Sequence, residues 1–101
     1  MIIYEKENTG ITTAQEEPCK YFSIEEIGAN LWEGKAFAKV HFWERLNHAK
    51  SCKKSNVYRD IEWSIVKETS IDAGLDTLFS SESVTTTVGD SISLQNPKLV
   101  E

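Results

Sequence analysis

Apolar and polar positions alternate with a period of two in two stretches of the chain, and these stretches set the expected fold class. In residues 35–46 (KAFAKVHFWERL), Ala36, Ala38, Val40, Phe42 and Leu46 share one parity, which only Glu44 interrupts. Lys35, Phe37, Lys39, His41, Trp43 and Arg45 share the other. At helical spacing the same apolar residues form no continuous stripe. A strand is therefore predicted, although helix propensity alone favours a helix. Residues 57–67 alternate in the same way, with Val57, Ile61, Trp63 and Ile65 set against Tyr58, Asp60, Glu62 and Ser64. Their β-branched and aromatic content agrees. Between them, residues 47–56 (NHAKSCKKSN) are polar, basic and small and read as a loop. The expected unit is a long antiparallel hairpin, 36–45 against 57–67.

The remaining segments are shorter. Ser23-Ile24-Glu25-Glu26 carries a capping-box spacing, with Phe22 and Ile27 placed as a hydrophobic staple, so a short helix is expected from 24 until the turn Glu33-Gly34-Lys35. Leu75, Leu78 and Phe79 behind a capping Asp72 predict a second helix over 72–80. Val84–Val88, Gly89-Asp90 and Ser91–Leu94 read as strand, turn, strand, ended by Pro97. Residues 1–20 are expected to hold one short strand at Ile2-Ile3-Tyr4 and an irregular arm. These elements imply a mainly β protein with short helices. The alternative is an α+β arrangement, with helices 24–33 and 36–49 against an antiparallel sheet.

With 101 residues, 40% hydrophobic and 27% charged, the chain has the size and composition of one globular domain, 1–101. It holds no apolar stretch that could span a membrane as a helix and no signal-peptide pattern, so cytoplasmic residence is the default expectation. Cys19 and Cys52 are then expected as reduced thiols, with a disulfide as the alternative. Together with His41 and His48 they match no zinc-ligand spacing, so no metal or other cofactor is expected. Neither a glycine-rich phosphate loop nor a nucleophile–base pair stands out, and no enzymatic activity is expected.

Charge changes the picture more than composition does. The net charge is −5, yet residues 35–59 carry seven cations against Glu44 alone, a balance of +6. Residues 1–34 carry seven acids against two lysines (−5), and residues 60–101 eight acids against two lysines (−6). An acidic chain with one basic middle directs attention to that middle.

From residue 34 onward the order of motifs resembles bacterial single-stranded-DNA-binding proteins and the related primosomal replication protein. Gly34-Lys35-Ala36-Phe37-Ala38 is similar to the entry to that family's second strand. Asp60-Ile61-Glu62-Trp63-Ser64-Ile65-Val66 is similar to its third, and Gly89-Asp90-Ser91-Ile92-Ser93-Leu94 to its fourth. The resemblance implies an oligonucleotide/oligosaccharide-binding (OB) fold, a small antiparallel β-barrel; either the N-terminal segment supplies a missing barrel strand or the fold is not an OB barrel. It also makes Trp63 a stacking candidate, since the matching family tryptophan contacts DNA, and a homo-oligomer stands among the expected partners.

A single strand is held by cations that track its phosphates and by rings on which bases stack. Lys35, Phe37, Lys39, His41, Trp43 and Arg45 interleave the two types along one strand face. Lys50, Lys53, Lys54 and Arg59 extend the charge into the loop. The expected function is binding of single-stranded DNA or RNA without sequence preference. Plainer roles stand beside it: Phe37 and Trp43 as core or subunit interface, Trp63 as core with Ile61 and Ile65, the loop lysines as a solvated tip, and His41 and His48 as bystanders. Two other functions compete. One is a small acidic interaction module, of inhibitor or immunity type, that covers a basic site on a partner protein. The other is a structural subunit of a larger assembly.

Overall fold

The computed structural model describes residues 2–51, 57–64 and 70–100. Its framework is a five-stranded antiparallel sheet in the order β4-β3-β2-β1-β7, built from β1 (Tyr4–Glu5), β2 (Tyr21–Asn30), β3 (Lys35–Trp43), β4 (Val57–Ser64) and β7 (Lys98–Leu99). Two short helices, α1 (Leu46–Lys50) and α2 (Ser70–Ser80), and a small hairpin of β5 (Val84–Thr85) and β6 (Ser91–Ile92) complete it. The protein is mainly β. Its strands β4 and β7 form two separate edges, and the sheet does not close among the described residues.

The central hairpin follows the period-two pattern. Strand β3 pairs with β4 from Lys35↔Ser64 to Phe42↔Val57. The expected continuation through 65–67 lies outside the described residues. Ala36, Ala38, Val40 and Phe42 are fully buried on the inner face, as their parity requires. With Phe22 of β2 and Ile61 of β4, Ala38, Val40 and Phe42 meet Ile11, Cys19, Leu78 of α2, and Ile92 and Leu94 from the β6 side. Full burial of Phe22 or Phe42 contributes about 1.5–3 kcal/mol.

Two expected helices are corrected. Residues 24–33 do not form one: Tyr21–Asn30 is strand β2, paired with β3 along its length. The cause of the misleading pattern is a β-bulge. The register steps from Ile24↔Val40 to Glu26↔Lys39, leaving Glu25 as the extra residue. Ile24 and Ile27 thereby share the inner face although they are three apart, a spacing that imitates a helix. Ser23, expected as a cap, instead donates its hydroxyl to Glu25 Oε1 at 2.6 Å. The α+β alternative fails with it, because 36–43 is strand and only Leu46–Lys50 of its second helix is helical.

Smaller corrections concern the connections. The basic loop begins as helix α1, and the rest of it, with Cys52, Lys53 and Lys54, lies outside the described residues. Helix α2 runs over Ser70–Ser80, so it begins two residues before the expected start at Asp72. The chain also adds a strand after Pro97, since β7 pairs with β1 through Tyr4↔Leu99.

Residues 6–20 are irregular, as expected, yet they pack as part of the core. Thr9 donates its hydroxyl to the Cys19 carbonyl at 2.6 Å, and the Cys19 amide bonds Ile11 O at 2.9 Å. Cys19 is a free, buried thiol. Burial, followed by the nearby Glu44 and Glu17 carboxylates, pushes its pKa up to about 11, so it is an unreactive core residue.

Candidate binding face

The outer face of β2-β3-β4 holds four of the eleven expected site residues, Lys35, Phe37, Lys39 and His41. Cross-strand register sets its rows as Ser23–His41–Tyr58, Glu26–Lys39–Asp60, Gly28–Phe37–Glu62 and Asn30–Lys35–Ser64. The His41 and Tyr58 rings stack at 5.9 Å and 27°. The Lys39 ammonium stands 5.5 Å from the Tyr58 ring centroid, a cation–π contact. Phe37 lies across Gly28, where an added Cβ would come within 2.7 Å of the ring's Cζ. Only glycine allows the ring to lie so close to the backbone there. Lys35 is exposed at the far end of the row.

Not all the expected residues join this face. Trp43 has the outer parity but is only 3% exposed, so its expected role as an open stacking ring is corrected. It is covered by a second, smaller core of Ile3 and Ala49, to which Tyr21, Leu46 and Val100 add. The cover comes from α1 and both chain ends, which no pattern inside β3 reveals. Arg45 and Lys50 are exposed at the two ends of α1, beyond the ring row.

Arg59 and Trp63 point to the other face. Arg59 pairs with Val40 in register, and its Nε donates to Asp90 Oδ2 at 2.8 Å. Asp90 also accepts the Thr86 hydroxyl. That hydrogen bond, then Arg59, holds the Asp90 carboxyl below its ordinary range. Arg59 therefore clamps the β5–β6 turn to the sheet. Trp63 pairs with Ala36 and lies against Gly74 of α2 so closely that a Cβ there would overlap the indole. It packs on the main core. Beside it, an open groove of about 490 Å³ runs between the end of β4, α2 and β5.

Three features escape a strand-by-strand reading of the sequence. Tyr58 completes the ring row, and its parity opposite His41 was the available signal. The carboxylates Glu26, Asp60 and Glu62 stand in register with Lys39 and Phe37, so the lysines do not form a continuous cationic track. One Asp60 carboxylate oxygen is buried without a hydrogen-bond partner. The third is Trp32, 97% exposed at the β2–β3 tip. No group of three or more His, Cys, Asp or Glu among the described residues is placed to hold a metal. No described helix is long and apolar enough to cross a membrane. The chain matches no family model, no curated protein and no solved structure.

Proposed function

We propose that this protein is a non-catalytic binding module that uses the outer face of β2-β3-β4 to cover a cationic site on a partner protein. Cross-strand register carries this reading. Lys39 stands between Glu26 and Asp60, and Phe37 beside Glu62, so the rings sit in a frame with more carboxylates than ammonium groups. Phosphates would be repelled by such a frame, whereas an arginine or lysine could pair with a carboxylate and lie on a ring.

Single-strand binding is the second reading, favoured by the stacked His41–Tyr58 pair and by the fold's resemblance to an open OB barrel. Support for that resemblance lies in the meander β2-β3-β4 and in two tethers of the small hairpin. The Thr87 amide bonds Asp60 O on the β4 edge at 3.0 Å, and the Ser93 amide bonds Thr9 O at 2.9 Å. These bonds carry the chain part of the way around the core of Phe22, Phe42, Ile92 and Leu94.

Fluorescence anisotropy with a labelled thymidine oligomer and a labelled arginine-rich peptide, at low and high salt, separates the two. Peptide binding that weakens in Glu62→Gln and in Tyr58→Ala, with no oligomer binding, is the expected result. Oligomer binding that weakens in Lys35→Ala plus Lys39→Ala, with a salt slope smaller by about 0.7 for each lost phosphate contact, would establish the second reading instead.

A further inference from the structure

The β2–β3 hairpin ends in an apolar tip. Leu31 is 71% and Trp32 97% exposed. The turn is ordered, since the Glu33 amide donates to Asn30 Oδ1 at 3.2 Å. Pairing of Ala29↔Ala36 and Asn30↔Lys35 holds its base, so the tip cannot fold back onto its own sheet. A fixed turn thus presents an indole to water, and a tryptophan buries about 150–250 Å² when it finds a pocket. The groove beside Trp63 is such a pocket, with Ile61, Leu78 and Val84 lining it.

We infer that the protein forms a two-fold dimer in which Trp32 of each copy enters the groove between β4, α2 and β5 of the other. The placement of tip and groove selects a second copy as the occupant. Tip and groove lie at the same end of the sheet, because the row Asn30–Lys35–Ser64 joins the base of the tip to the groove's Ser64. A two-fold axis passing that end therefore brings both tips to both grooves at once, and the contact closes without growing into a filament. The Phe37, His41 and Tyr58 rings are not used, whereas Glu62 belongs both to the groove and to the proposed partner site. This inference does not depend on that site.

Sedimentation equilibrium of the full chain over a wide concentration range tests it. The wild type is expected to be a dimer. Trp32→Ala, which removes the tip, and Thr85→Arg, which fills the groove from an exposed wall, should each weaken dimerisation by roughly a thousandfold, about thirtyfold for each of the two tryptophan anchors that the symmetric dimer loses. Thermal melts of both variants at concentrations where all are monomeric should match the wild type; Thr77→Arg, on the helix wall, replaces Thr85→Arg if that variant does not fold. An equimolar mixture of the two variants retains one intact tip and one intact groove, and should associate more tightly than either alone. A wild type that stays monomeric throughout, a dimer indifferent to both substitutions, or a mixture no tighter than its components would overturn the inference.

Discussion

Strand β3 shows two kinds of surface one residue apart. Its inner side chains, Ala36, Ala38, Val40 and Phe42, are fully buried, and the last three belong to the main core. Its outer side chains, Phe37, Lys39 and His41, are half-buried and lie against the rings and charges of β2 and β4. The inner face depends on volume, because every neighbour is fixed. The outer face depends on charge and ring placement, which tolerate rearrangement at water's edge. Stability is therefore concentrated on one side of the strand, and the proposed recognition lies on the other. Trp43 is the exception, an outer-face residue that a second core has covered.

The largest expected effects test that exception. Phe42→Ala and Trp43→Ala, adjacent residues on opposite faces, should each cost about 3–5 kcal/mol in chemical denaturation, since both leave a cavity. Phe37→Ala, also an outer-face ring, should cost about 1 kcal/mol or less. A Trp43→Ala protein as stable as Phe37→Ala would mean that the second core does not form.

Glycine-to-alanine changes sharpen the same contrast. Gly28 and Gly74 both lie against a ring, Phe37 on the outer face and Trp63 on the inner. Phe37 can swing toward solvent, so Gly28→Ala should change stability by about 0.5 kcal/mol or less. Trp63 is packed on the main core. Overpacking there, at about 1–3 kcal/mol, outweighs the gain of about 1 kcal/mol in helix propensity, and Gly74→Ala should lose about 1 kcal/mol net. Equal melting temperatures for the two variants would contradict the assignment of faces.

The smallest effect concerns the Asp90 clamp. Its carboxyl titrates lower when folded than when unfolded, so its contribution is present above the ordinary carboxylate pKa of about 3.9 and fades as pH falls through the folded value. Its side chain is 38% exposed, which limits that contribution to about 1 kcal/mol or less. Asp90→Asn should thus melt slightly below wild type at pH 7 and converge with it at strongly acidic pH. A difference that widened on acidification would have the wrong sign.

How much of this was legible in the sequence depends on what interrupts a pattern. The β3–β4 hairpin was readable because its alternation is unbroken and both faces keep their parity from Lys35 to Phe42. Strand β2 was not, because one bulged residue, Glu25, converts a period of two into a helical spacing. Trp43 had the predicted parity but not the predicted exposure, since Ile3 and Ala49 reach it from distant parts of the chain. Of the candidate site, Lys35, Phe37, Lys39 and His41 share one face, whereas Arg59 and Trp63 belong to the other. Cross-strand register, which no single strand reveals, supplied the carboxylates that change the expected partner.

Chemical-shift mapping of backbone amides, with the arginine-rich peptide and then the thymidine oligomer added to the full chain, tests the central claim most directly. The peptide should shift the amides of Phe37, Lys39, Tyr58 and Glu62, leave the inward-pointing methyl groups of Ala38 and Val40 nearly unmoved in a methyl spectrum of the same sample, and lose most of its effect in Asp60→Asn plus Glu62→Gln. An oligomer that shifts the same outer-face amides at lower concentration than the peptide, or a peptide that perturbs both faces alike, would contradict it.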